Sequence, residues 1–213
     1  GSEYEELMRK ADKALYLAKE KGKNRHIIYE ERLHGRLESD DMQNMAMAYV
    51  VSKEKKREVI TKMITELCVS GVNSIVKKEE RLQQIRSLFD LDGITIYSES
   101  GAQLVCRNGN YMVEVPDGRG LFEDEKYLAL FGDDDNFIES NTLKLRFQDP
   151  AAFAVMQKQE IGASLQCLSR KEGVPNVIVN YDVFNRNRKW SDEDITLLTI
   201  LGHCIGNLLN YSE

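Results

Sequence analysis

Four cysteines, three histidines and two short runs of carboxylates are the residues of this chain best suited to chemistry. Cys68, Cys106, Cys167 and Cys204 have at least 36 residues between neighbours, so no CxxC pair stands ready to clamp a metal or exchange a disulfide. Cys106 and Cys167 fall in stretches of strand character, where two thiols on one face would share a pocket and support redox chemistry. A buried thiol acting as a small apolar side chain is the commoner arrangement. His26, His34 and His203 belong to three separate elements, which does not make a metal triad. The acidic loop Asp133-Asp134-Asp135 with Glu139 and the turn Asp90-Leu91-Asp92-Gly93 both depart from the spacing of a calcium loop, so no metal is expected. Tyr97, Arg107, Tyr111, Arg146 and Tyr181 are polar or amphipathic side chains on expected strands, and they are the candidates for ligand contacts in a sheet-lined pocket. Inward arginines would favour an anionic ligand, because a buried guanidinium needs a partner. No cofactor is evident; an unknown small-molecule ligand is the expectation.

The elements that must position these side chains are legible as changes of period. Residues 3–21 place Leu7, Ala11, Ala14, Leu15 and Ala18 on one helical face, with Gly22 just past the end. Arg25-His26-Ile27-Ile28-Tyr29 reads as a strand without a partner. From Ser39 to Asn73 a long helix is expected, its seam (Met42, Met45, Tyr49, Ser52, Lys56, Val59, Met63) apolar at both ends and polar in the middle. A second helix follows over 74–89. Near Gly93 the period becomes two. Strands are expected at 93–98, 103–107, 111–115, 142–147, 163–170 and 176–183, with Asn108-Gly109 as a hairpin turn, helices at 121–131 and 150–157, and a loop over 132–141. Ser191-Asp192-Glu193-Asp194 opens the last helix with a capping serine and three carboxylates at its positive end. The class is α+β, an antiparallel sheet flanked by helices.

The chain has 213 residues, 30% charged and 42% hydrophobic, with a formal net charge of −6. Residues 1–37 carry 9 Lys+Arg against 7 Asp+Glu, and residues 38–213 carry 20 against 28, so the body is acidic and no nucleic-acid partner is expected. The longest uncharged run, Ile195–Ser212, is broken by Thr196, Thr199, His203, Asn207 and Asn210. That pattern suits a helix and not a membrane span, so no membrane contact is expected and the cytoplasm is the expected compartment. On the last helix Leu198, Leu201, Ile205 and Leu208 form one apolar stripe, and Leu197, Ile200, Cys204 and Leu209 widen it beyond a single face. A homodimer is therefore expected, with Leu198, Leu201, Ile205, Leu208, Val59 and Met63 at its interface. The alternative partner for the surplus face is the 55–69 helix of the same chain.

Two resemblances cover different parts of the chain. The segment RKADKALYLAKEKGKNRHIIY, Arg9–Tyr29, resembles the closing helix and strand of GGDEF domains, the diguanylate cyclases, whose pattern there is ADxALYxAKxxGRN. The resemblance implies that Lys19 and Lys23 stand where that family contacts GTP phosphates, Lys23 replacing an arginine and losing its bidentate fork. No GGDEF or GGEEF sequence occurs, so no cyclase activity is implied. Residues 55–211 resemble a GAF domain, the small-molecule-sensing relative of the PAS fold. The stretch from Ile161 to Leu209 matches its hairpin, its aromatic before a [ST]xxD cap and its leucine-rich closing helix. Asn180, Trp190 and Asp194 match part of the signature of cyclic-nucleotide-binding members, whereas Tyr181 and Ile195 stand at the positions of its lysine and glutamate.

The resemblances together imply a GAF/PAS-like antiparallel sheet preceded by a helix-strand fragment. The expected parts are 1–37, the end of a GGDEF domain; 38–54, a helical linker; and 55–213, a GAF domain. The implied function is a non-catalytic sensory and dimerisation module of a bacterial diguanylate cyclase or cyclic-di-GMP signalling protein, relaying ligand or partner state through helices. A redox-active GAF enzyme using Cys106 and Cys167, and a ligand-free assembly domain, are the competing readings.

Overall fold

The change to a period of two near Gly93 is where the sheet begins. The computed structural model describes residues 39–70, 79–99, 101–107 and 118–210, together with positions 4, 6, 7, 10, 11, 14 and 28. Two compact units, 1–55 and 56–213, divide the chain. In the first, Tyr4, Glu6, Leu7, Lys10, Ala11 and Ala14 are helical, Lys10 Nζ pairs with Glu6 across one turn at 2.6 Å, and Ile28 is in no regular element. Lys19, Lys23, His26, His34, Tyr111 and the Asn108-Gly109 turn lie outside the described residues.

In chain order the elements are α1 (Ser39–Ser70), α2 (Glu79–Leu88), β1 (Gly93–Ser98), β2 (Gly101–Arg107), a 3-10 turn (Arg119–Phe122), α3 (Glu125–Leu128) and β3 (Asn136–Glu139). A second 3-10 turn (Thr142–Lys144), α4 (Leu145–Gln148), α5 (Pro150–Lys158), β4 (Ile161–Lys171), β5 (Val174–Phe184) and α6 (Asp192–Asn210) follow. The strands form one sheet in the order β2-β1-β5-β4-β3, antiparallel at every pairing. No helix among the described residues is long and apolar enough to cross a membrane.

Alternation along the strands gives the sheet two unlike faces. On one face Ile94, Ile96, Cys106, Leu165, Cys167, Val179, Tyr181 and Val183 meet Ile60, Met63 and Leu67 of α1, Leu82 and Ile85 of α2, and Leu198, Leu201 and Ile205 of α6. Each of these larger side chains contributes roughly 1.5–3 kcal/mol by leaving water. Close approach of α6 to β4 depends on two glycines one turn apart. A Cβ on Gly202 would stand 2.6 Å from Cys167 Sγ, and one on Gly206 would stand 2.1 Å from Ser169 Oγ. The other face carries Tyr97, Phe137, Leu168, Ile178 and Phe184 beneath Tyr127, Phe131, Leu145 and Met156.

Three sequence expectations need correction. Residues 142–147 are not a strand: Asn141 caps the turn by accepting Leu143 N at 3.1 Å, and Thr142 and Leu145, three apart, are buried while Leu143, Arg146 and Phe147 are exposed. A period of three won over the apparent alternation. The expected loop over 132–141 contains β3, which gives the edge of β4 a partner. The stripe expected at a dimer interface is largely consumed by the chain's own core, with Leu198, Leu201, Ile205 and Met63 at 3% exposure or less and Leu208 and Val59 packed partly buried against it.

Candidate functional site

The second face is not uniformly apolar. Register places Thr95 of β1 beside Asn180 of β5, Asn180 beside Gln166 of β4, and Asp182 beside Ser164, and all five are buried. Each row of a sheet face holds cross-strand neighbours, so these five make a polar floor in the middle of the sheet. Three of them, Gln166, Ser164 and Asp182, are linked by a directional chain of hydrogen bonds. The Tyr127 hydroxyl donates to Gln166 Oε1 (2.5 Å), Gln166 Nε2 donates to Ser164 Oγ (3.1 Å), and Ser164 Oγ donates to Asp182 Oδ1 (2.6 Å). Burial pushes the Asp182 carboxyl up to about 6, against the pull of the Ser164 bond and the Arg107 charge. Burial likewise pushes the Tyr97 and Tyr127 phenols up, with the Asp182 charge adding to it.

Above this floor lies a cavity of about 280 Å³. Asn180 and Gln166 form its base, Tyr97 and Tyr127 its sides, and Ala151, Ala152, Val155 and Met156 of α5 its roof, with Gly118, Gly120 and Asp124 also on its wall. The roof and wall helices are held by their caps. Asp149 Oδ1 accepts Ala151 N and Ala152 N at 3.0 Å with Pro150 opening α5, and Asp124 Oδ1 accepts Lys126 N and Tyr127 N at the start of α3. Gly118 has φ +79°, and a Cβ there would stand 2.2 Å from the Tyr97 ring, so only glycine lets the backbone lie on that ring. Two buried polar atoms of the floor have no partner, Thr95 Oγ1 and Asn180 Oδ1. Buried polar groups are nearly always bonded, which marks this pair as unfinished.

The residues named from the sequence are divided by this geometry. Tyr97 lines the cavity. Arg107 donates from Nη2 to Gln159 Oε1 (3.0 Å), a lining residue, and lies 5.1 Å over the Phe184 ring. Tyr181 faces the helix side, fully buried against Cys167 and Cys204, and Arg146 is exposed on α4; neither reaches the cavity. Cys106 and Cys167 are buried in the helix-side core, opposite the cavity, and burial pushes the Cys167 thiol up, away from the reactive thiolate. The expectation of a shared redox pocket is therefore corrected. Asn180, seen earlier only through a family signature, is central. Gln166, Thr95, Tyr127 and Asp182 were missed, although a polar residue at every second place of Ser164-Leu165-Gln166 and of Asn180-Tyr181-Asp182 was a usable signal.

The acidic motifs have structural roles. Asp92 Oδ2 accepts Phe184 N (3.0 Å) and Arg186 Nη2 (3.3 Å), Asp135 pairs with Arg170 at 2.9 Å, and Asp134 Oδ2 accepts Asn136 Nδ2 at 2.9 Å. His203 Nε2 lies 3.0 Å from Asn136 Oδ1.

No family model matches the chain, and no curated protein sequence matches it. Solved structures do. The chromophore-binding domain of a Stigmatella aurantiaca bacteriophytochrome superposes with TM-score 0.57 at 14% identity, covering 76% of this chain and 61% of that one. JSC1_58120g3, in a far-red-absorbing dark state with bound biliverdin IXa, gives 0.55 at 14% identity over 72% and 98%. The red/green cyanobacteriochrome NpR6012g4, in its red-light-absorbing state, gives 0.51 at 16% identity over 67% and 96%. These likenesses show the fold. They also correct the expectation that no cofactor is evident, because one of these similar structures holds a biliverdin.

Proposed function

We propose that this chain, whose five-stranded antiparallel sheet flanked by helices is the GAF-like α+β fold, is a non-catalytic sensory module that binds a small molecule over its polar floor. The observation that carries the reading is the buried, unpartnered Asn180 Oδ1 at the base of a 280 Å³ cavity. Concave, mostly apolar cavities with a few convergent polar groups are where proteins hold small ligands.

A covalently attached tetrapyrrole does not fit the described residues. Such a molecule has four pyrrole rings and two carboxylates, and the cavity sits just under the ~300–1,000 Å³ usual for ligand sites. The described lining has no lysine, arginine or histidine for the carboxylates and no cysteine for a thioether. Cys106 and Cys167 are in the opposite core, Cys204 packs against it, and Cys68 is exposed on α1. The ligand is therefore a smaller one.

Signal transfer follows from alternation on β5. Asn180 faces the cavity while Tyr181 faces α6, its hydroxyl 3.4 Å from where a Gly202 Cβ would be. A ligand that draws Asn180 toward itself shifts the strand under α6 and biases the packing of α1, α2 and α6, a population shift. The match of Ala11–Asn24 to the closing helix of diguanylate cyclases supports placing the module in a cytoplasmic bacterial cyclic-di-GMP signalling protein. The same match supports the division at 1–37, 38–54 and 55–213, with Lys19 and Lys23 as relics of a GTP-phosphate site. The half-exposed Ile200 on α6 supports a homodimer.

Native mass spectrometry of the purified chain tests the reading, with added biliverdin as a second arm. A bound small molecule is expected, and no covalent biliverdin adduct. A chain that never carries a ligand, alone or with cell extract metabolites, is an assembly domain and the sensory reading falls.

A further inference from the structure

The chemistry of the cavity specifies the class of its ligand, an inference that rests on the sensory reading above. We propose that the cavity selects a flat, uncharged heterocyclic lactam or amide of nucleobase size, which donates an N–H to Asn180 Oδ1, and that it rejects ligands bearing phosphate or carboxylate.

Three observations converge. The first is the direction of the missing hydrogen bond. Asn180 is 6% exposed, lines the cavity and presents an acceptor with no donor. None of its neighbours donates to it in the structure: one N–H of Gln166 Nε2 goes to Ser164 and the Tyr127 hydroxyl goes to Gln166. A ligand N–H would complete that acceptor, and Thr95 Oγ1, across the strand from Asn180 and also unpartnered, adds a hydroxyl to the same row. A lactam or amide edge offers N–H and C=O side by side, which suits a row containing one acceptor and one hydroxyl.

The second is shape. The roof of Ala151, Ala152, Val155 and Met156 is apolar, and Gly118 lies against the Tyr97 ring, so the space between floor and roof suits a ring with apolar faces and polar edges. The third is charge. Among the described residues the lining has no cation, while Asp124 is on its wall and Asp182 is buried beneath it. Arg107, whose partner Gln159 lines the cavity, is engaged by that residue and by the Phe184 ring, and its charge acts on Asp182. Among the described side chains an anionic ligand would shed water without meeting a free positive group.

The test is isothermal titration of the full chain with uracil and hypoxanthine, and in parallel with their 5′-monophosphates, using wild type, Asn180→Leu and Asn180→Asp. At least one free base is expected to bind, its monophosphate about tenfold or more weaker, with Asn180→Leu losing about tenfold and Asn180→Asp, which keeps the acceptor, staying within about threefold of wild type. The proposal is overturned if a monophosphate binds as tightly as its base, if Asn180→Leu binds like wild type, if Asn180→Asp loses binding, or if neither base binds. If Asn180→Leu does not fold, the comparison of Asn180→Asp with wild type and of base with monophosphate decides alone. A phosphate- or carboxylate-bearing compound found on the native protein by mass spectrometry overturns this class while leaving the sensory reading standing. No bound small molecule in either experiment overturns both.

Discussion

Lys56 on α1 and Asp194 in the first turn of α6 are joined by a 2.6 Å ion pair across 138 positions of sequence, and Arg188 takes the other oxygen of the same carboxylate at 2.9 Å. This cluster ties the first helix of the second unit to its last. Burial alone would raise the Asp194 carboxyl, but the hydrogen bonds and charges of Lys56 and Arg188 outweigh it and hold the group below its ordinary value. Arg188 also lies 4.3 Å over the Trp190 ring and donates to the carbonyls of Phe89 and Asp90, so the carboxylate organises the junction of α2, α6 and the loop before it.

Asp194→Asn is therefore expected to lower stability by about 3 kcal/mol, since two cations at 18% and 10% side-chain exposure lose their counter-charge. For a unit of this size that is a fall in Tm of roughly 6–12 °C. Because the folded carboxyl is depressed, its contribution is full above the unfolded value of 3.8 and fades as pH falls below it. Thermal melts at pH 7 and pH 3 check both points; equal losses at the two values would show that charge is not the cause.

The same pair shows what was legible in the sequence. Lys56 was recognised as a flaw in an apolar seam, and Asp194 as a carboxylate at a helix start, but the link between them depends on a packing that no local pattern contains. Strands β1, β4 and β5 were readable because their alternation is long, and α6 because its cap and stripe agree. Thr142–Phe147 was misread because six residues satisfy a period of two and a period of three equally well, and only the burial of Thr142 and Leu145 decides. The site was half visible: Tyr97 and Asn180 were named, whereas Gln166, Ser164 and Asp182 stand at alternate polar positions, a usable signal, and only cross-strand register joins them into one floor.

Asp182 should govern the pH dependence of the second unit near neutrality. Its folded value of about 6 lies above the unfolded 3.8, so its contribution to stability is full below about pH 4 and is lost as pH rises through 6. The whole change amounts to about 3 kcal/mol. Asp182→Asn, which can still accept from Ser164, is expected to flatten the stability profile between pH 4 and pH 8 and to melt higher than wild type at pH 8. Parallel profiles for the two proteins would mean that the carboxyl is not raised.

The Gly206 contact gives a packing prediction. Its missing Cβ would stand 2.1 Å from Ser169 Oγ and 2.6 Å from Ser169 Cβ, and Ser169 is 3% exposed. Gly206→Ala should cost about 1–3 kcal/mol despite alanine's better helix propensity, because overpacking forces α6 off β4. Gly206→Ala with Ser169→Ala should recover part of that loss, measured as coupling in urea melts. A stabilised Gly206→Ala single variant would contradict the contact.

Thiol accessibility separates the four cysteines. Cys68 is exposed, Cys204 is partly buried and pushed up by burial and by its hydrogen-bonded neighbour Cys68, and Cys106 and Cys167 are at 1% exposure or less. Iodoacetamide at pH 8 on the native chain should label Cys68 first and Cys204 more slowly, with Cys106 and Cys167 reacting only after denaturation. Peptide mapping by mass spectrometry reads the order. Rapid native labelling of Cys167 would reopen the redox enzyme reading.

Assembly is the last consequence to be measured. With Leu198, Leu201 and Ile205 committed to the core, a dimer must use what α1 and α6 leave outside, and among the described side chains Ile200 at 49% and Val69 at 82% exposure are large, apolar and open there. Light scattering at micromolar concentration is expected to give twice the 24.4 kDa chain mass. Ile200→Glu, a change that the core does not sense, should shift the population to monomer while leaving the melting temperature of the sheet unit within about 2 °C, since surface substitutions away from such contacts are nearly neutral. A wild-type chain that stays at 24.4 kDa would remove the dimer from the proposed function.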